Sequence, residues 1–139
     1  MRIMGIDFGT RRIGVAVSDE LLLTAQGLET IQRVGTEKDF EKIISFAKEY
    51  GVREIIVGLP LNMNGTHSQK TKEALAFADH LAAIAGVPIK TYDERLTSMQ
   101  AERVLLAADV SRAKRKKATD RMAAQLILQG YLDSIRKAV

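Results

Sequence analysis

Carboxylates that break apolar patterns are the residues of this sequence with chemistry to offer. Asp7 interrupts the most apolar stretch of the chain, Arg2 to Phe8, close to its end. A lone buried carboxylate there would be costly. Either the N–H groups of the following turn satisfy it or it is kept for function, since ligands of α/β sheets collect beyond the C-terminal strand ends. Asp93 and Glu94 end a second such stretch, where one acid could simply serve the positive end of the next helix. Asp120 shares a helical stripe with positions 124, 127, 128 and 131, so it continues the face that Ala124, Ile127 and Leu128 turn inward. Complementing a helix dipole, the bland alternative, would not require that face. Three acids at the ends of separate elements describe a hard-cation site for Mg²⁺ or Mn²⁺, as one or two ions. Without metal the acids repel, so one of them should have a raised pKa. Paired ions of this kind activate water and stabilise the leaving oxygen in phosphodiester hydrolysis. His67 and His80 lack metal-ligand spacing, and His80 falls within a helical pattern.

Cations supply the second signal. Arg112, Lys114, Arg115, Lys116 and Lys117 put five positive charges in six positions. Such a run is either a solvated loop or helix start, or a set of phosphate contacts. The net charge of +4 and the pI of about 9.5 permit a polyanionic partner without requiring one.

The elements that must position these residues follow from periodicity. Two apolar runs, Arg2 to Phe8 and Ile13 to Val17, flank a short polar turn and read as a hairpin. Leu21 to Ile31 is a weaker third strand, interrupted at Gln26-Gly27. A helix starts at Thr36 and turns Phe40, Ile43, Ile44 and Ala47 to one side. Glu54 to Leu59 is a buried strand, and Pro60 to Gln69 a polar loop. Thr71 to Ala85 is helical, and Ile89 to Asp93 a short strand. Thr97 to Gln100 matches a capping box, opening a helix through Ala101, Val104, Leu105 and Ala108. A last helix covers 118–137. The order βββ-α-β-α-β-α-α predicts an α/β fold, a mixed five-stranded sheet flanked by helices, in one domain over 1–139.

Composition narrows the classes. At 46% hydrophobic and 27% charged, with 10 Gly and 2 Pro, the chain is neither disordered nor collagenous. Without cysteine there is no disulfide, thiol nucleophile or cysteine zinc site. No apolar run reaches the roughly 18 residues of a membrane span, and the acid at position 7 breaks any signal-peptide pattern, so the expected location is cytoplasmic. With 5% aromatics and no Trp, base-stacking platforms are few.

Residues 5–19, 58–65, 93–98, and Asp120 with Ala123 to Leu128 and Tyr131-Leu132, resemble in order the four motifs of the YqgF (RuvX) family. The resemblance spans nearly the whole chain. It implies a ribonuclease H-like fold and a metal-dependent nuclease, with Asp7, Glu94 and Asp120 as catalytic, metal-binding acids. Its substrate classes are structured RNA, in processing the 5′ end of pre-16S rRNA, or branched DNA, in Holliday junction resolution. The substrate-binding positions are then Arg11, Arg12, Asn62, Asn64, Arg95, Arg112, Lys114, Arg115, Lys116 and Lys117. Asn64 replaces the acid usual in the family loop, His67 replaces another acidic position, and Ser98 replaces Thr. A junction resolvase needs two sites on a two-fold axis; the sequence leaves monomer and weak dimer open. Two further classes stand beside these. The segment from Gly5 to Thr10 looks like the first phosphate loop of the actin and Hsp70 superfamily, whose members use two such domains, and 139 residues leave no room for the second. A non-catalytic nucleic-acid-binding module would keep the cations without needing the three acids.

Overall fold

A computed structural model describes residues 1–94 and 112–137, with the side chains at 112–121 and 137 outside the description. The strands are β1 (Arg2–Phe8), β2 (Arg12–Ser18), β3 (Ala25–Gly27), β4 (Ile31–Gln32), β5 (Val52–Leu59) and β6 (Ile89–Asp93). The helices are α1 (Thr36–Glu49), α2 (Gln69–Ile84) and α3 (Arg112–Lys137). The expected helix after position 97 and its capping box lie outside the described residues.

The sheet runs β3-β2-β1-β5-β6, with β4 also on β2. β1 and β2 form the expected antiparallel hairpin, with Asp7 opposite Gly14. β5 and β6 then add in parallel, reached through α1 and α2. Five positions across the sheet thus hold six strands. The expected third strand divides into two pieces, β3 against Ala16–Ser18 and β4 against Arg12 and Ile13. The chain between the pieces leaves the edge, as Gly27 ends the first.

Alternation along the strands makes two cores. Met4, Ile6, Val15, Ile55 and Val57 pack under α1 and α2 with Phe40, Ile43, Phe77 and Leu81. Ile3, Ala16 and Ile56 pack under α3 with Ala124, Ile127, Leu128 and Leu132. α3 lies close on β1, because a Cβ at Gly5 would stand 2.7 Å from Leu128 Cβ. Burying each large aliphatic side chain contributes about 2 kcal/mol, so this face fixes where α3 sits. Tyr131 bonds Glu54 at the start of β5, while Ile127 meets Gly58 near its end. α3 therefore runs antiparallel to β5, and its earlier residues head past the C-terminal strand ends. The basic run at 112–117, expected between two helices or at a helix start, is itself helical and opens α3.

Candidate active site

Asp7 and Glu94 stand at the C-terminal ends of β1 and β6, either side of β5. Asp7 follows Ile3 and Gly5 by the strand's period of two, so it lies on the α3 face. Glu94 leaves the end of β6 with its N–H donating to Leu59 O at 3.2 Å. Its carboxylate leans over Gly58, with Oε2 2.3 Å from where a Cβ there would stand and Ile127 Cδ1 2.5 Å from the same point. Glycine at 58 is what gives that carboxylate its place. Glu94 Oε2 is shut off from solvent. Burial first, then the charges of Asp7 and Asp93, push the Glu94 carboxyl up to about 8. The repulsion expected among the acids is thus carried by Glu94. Asp120 is helical, one turn before the buried Ala124; its side chain is outside the description.

Beside Asp7 opens a cleft of about 290 Å³, walled by Gly9, Thr10 and Gly14 from the hairpin. Three cations line it, Arg11, Arg12 and Lys70, the first two being candidates already in the sequence. Lys70 went unnoticed in the sequence, where it is one more Lys beside a polar loop. Only the folding of that loop brings it to Asp7. Thr71 Oγ1 donates to Pro60 O at 2.5 Å, and Ser68 caps α2 in a reciprocal box with Thr71. Together these pin the start of α2 to the end of β5.

Asn62 and Asn64 do not line that cleft. Asn64 Oδ1 accepts from Thr66 N at 3.1 Å and from Thr66 Oγ1 at 2.7 Å, while Asn62 Nδ2 donates to Thr66 Oγ1 at 2.9 Å. Both side chains shape the loop around Gly65 (φ 85°). The accepting role is one that an aspartate fills equally well. Arg95 lies outside the described residues, as do the side chains of Arg112, Lys114, Arg115, Lys116 and Lys117. His80 packs edge-on against Phe40 at 4.7 Å, away from the acids.

Arg33 and Asp39 are a second pair that periodicity did not single out. Asp39 is a buried acid, 1% exposed, accepting from Val34 N and from Arg33 Nε at 3.2 Å. Arg33 Nη1 also donates to Gly9 O and Thr10 O, and its guanidinium lies 4.7 Å from the Phe8 ring centroid. One side chain thus ties α1 to the turn that walls the cleft.

The donor set suits Mg²⁺ or Mn²⁺, since it is all carboxylate oxygen and its repulsion is what a divalent cation would relieve. Among the described residues no three His, Cys, Asp or Glu side chains are grouped to hold a metal. The side chain of Asp120, the third acid of the expected set, lies outside the described residues.

A mixed sheet with acids at its strand ends and a last helix across one face is a ribonuclease H-like nuclease fold, and solved structures bear that out. RuvC of T. thermophilus in complex with a Holliday junction substrate superposes with a TM-score of 0.59 at 18% identity, covering 97% of this chain and 96% of that one. The Fowlpox virus resolvase with Holliday junction DNA gives 0.58 at 12%, covering 97% and 99%. The large terminase nuclease of phage G20c gives 0.59 at 12%, covering 94% and 81%. At such identities these likenesses show the fold alone. The family follows from sequence: the model of the RuvX family, described as Holliday junction resolvase, matches residues 1–134, and the chain belongs to that family. A Symbiobacterium thermophilum protein is 54% identical over 96% of this chain and 93% of its own length. One from Clostridium kluyveri is 50% identical over 99% and 100%. Both carry the name "Putative pre-16S rRNA nuclease".

Proposed function

We propose that this chain is a metal-dependent nuclease that hydrolyses phosphodiester bonds in the 5′ leader of pre-16S rRNA. The observation that carries the chemistry is the Glu94 carboxylate seated over Gly58 within reach of the charge of Asp7, which itself lines a cleft with three cations. The names of the relatives support the choice of substrate. Asp7, Glu94 and Asp120 would hold Mg²⁺ or Mn²⁺. When bound, such ions supply an activated water and stabilise the leaving oxygen. The chain's own residues do the rest. Arg11 and Arg12 hold the backbone phosphates against Asp7. Buried Glu94 keeps its proton at neutral pH until a cation offsets the neighbouring charges. No helix among the described residues is long and apolar enough to cross a membrane, and the proposed rRNA substrate supports a cytoplasmic location.

Holliday junction resolution is the second reading, favoured by the family's description. Symmetric resolution needs two copies on a two-fold axis, whereas trimming an RNA end needs one site. The test is a cleavage assay on labelled pre-16S leader RNA, a four-way DNA junction and plain duplexes, with Mn²⁺ or Mg²⁺ and with chelator. RNA cleavage lost on chelation, and reduced about a thousandfold in Asp7→Asn, is the expected result; that factor corresponds to the several kcal/mol a metal contributes. Paired symmetric nicks in the junction would favour resolution. Binding without cleavage would leave a non-catalytic module.

A further inference from the structure

We propose that Lys70 is a substrate-phosphate contact on the α2 side of the Asp7 cleft, opposed to Arg11 on the hairpin side. This rests on the reading of the cleft as a nucleic-acid site. The first observation is position: Lys70 and Arg11 come from separate elements and line the same 290 Å³ space as Asp7. At that volume the cleft is at the bottom of the range for small-molecule pockets, suited to a stretch of sugar–phosphate backbone. The second is availability. Neither the Lys70 ammonium nor the Arg11 guanidinium makes an ion pair or side-chain hydrogen bond with the described residues, and both are exposed. The third is rigidity. Thr71, the next residue, is fully buried and bonded to both Ser68 and Pro60, so the backbone that presents Lys70 is fixed to β5.

The fourth is a local charge that runs against helix electrostatics. A cation in a first turn faces the positive end of the helix. In α1 the first-turn cation, Lys38, is offset by Glu37 and Asp39 beside it. α2 has no acid there and places Lys70 second from its start. A polyanion in the cleft offsets that penalty by pairing with the lysine, the one residue of this first turn that lines it.

The test reads binding rather than cleavage, so it separates this proposal from the catalytic one. Asp7→Asn, which keeps the cations, is titrated onto labelled pre-16S leader RNA across a salt series. Lys70→Ala, Lys70→Arg and Lys72→Ala are added to it singly; Lys72 is exposed on the same helix and does not line the cleft. Lys70→Ala should raise Kd about fivefold and lower the slope of log K against log salt by roughly 0.7 to 0.9, one phosphate's worth. Lys70→Arg should restore both, and Lys72→Ala should leave both unchanged. Equal behaviour of the two alanine variants would overturn the proposal. An unmutated chain that binds but does not cleave, with the Lys70 effect intact, would instead refute the nuclease reading and keep the contact.

Discussion

Glu94 makes the metal-free site a pH-dependent weakness. Its carboxyl titrates near 8 in the folded chain and near its ordinary 4.5 when unfolded. Below 4.5 the group is protonated in both states and there is no penalty. Between 4.5 and 8 the unfolded chain is ionised first, so stability falls as pH rises, and above 8 the full penalty of roughly a few kcal/mol is present. Thermal unfolding in chelator from pH 5 to 9 should therefore show a falling Tm. Glu94→Gln, which has no such proton to lose, should flatten that fall and be the more stable chain at pH 8.5. Added Mn²⁺ should raise Tm in the parent and not in the variant. A parent Tm independent of pH in chelator would contradict the buried, charge-crowded state of Glu94. At this scale Asp7 and Glu94 were legible as candidates, because a carboxylate inside or closing an apolar strand stands out from its neighbours. Lys70 was not, since nothing about a lysine beside a polar loop says that the loop will carry it to Asp7. Arg33 and Asp39 escaped for the same reason: an Arg and an acid six positions apart read as surface until Phe8 and the Gly9 and Thr10 carbonyls close around them.

Among the elements, the β1–β2 turn walls the cleft beside Asp7, and Arg33 is its tether. A planar guanidinium can reach Asp39, Gly9 O and Thr10 O at once while lying on Phe8; an ammonium cannot. Arg33→Lys should therefore fail to restore what Arg33→Ala loses. Both should destabilise the chain, the alanine by about 3 kcal/mol because Asp39 is left buried beside an empty place. Both should also weaken RNA binding, since Arg11 and Arg12 follow directly on the released turn. Urea unfolding paired with a binding titration checks this; full rescue by lysine would mean that charge alone matters at position 33. The hairpin, the buried β5 and the helical faces of α1 and α3 were all legible, each through a period long enough to repeat. The third strand read as one because its interruption is brief, and only pairing to β2 shows the break. What holds β3 at the edge was invisible too. Gln129 Oε1 accepts from Ala25 N at 2.9 Å and Gln125 Nε2 donates to Ala25 O at 3.1 Å, so α3 completes the strand's hydrogen bonding in place of a neighbouring strand.

Charge is the property that acts over the whole molecule, with 21 cations against 17 acids and five of the cations in the first six residues of α3. Ile127 lies near the end of β5, so those residues, ten or more positions earlier in the helix, stand roughly 15 Å or more along the axis, beyond the acids. Their placement sets stability against binding. Positive charge at a helix N-terminus opposes the dipole, while the same charge beyond the site would neutralise backbone phosphates. Replacing Arg112, Lys114, Arg115, Lys116 and Lys117 by Gln leaves 16 cations and a net charge of −1. Gln matches Lys and Arg in helix propensity, so α3 itself should persist. The two effects then move in opposite directions: Tm rises by a few degrees, while affinity for the leader RNA falls steeply at low salt and its salt slope drops by three or more. The loss should be the same for plain duplex, because phosphate contacts carry no sequence information. A substituted chain with a higher Tm and an unchanged salt slope would make the run a solvated helix start, leaving binding to the cleft cations alone.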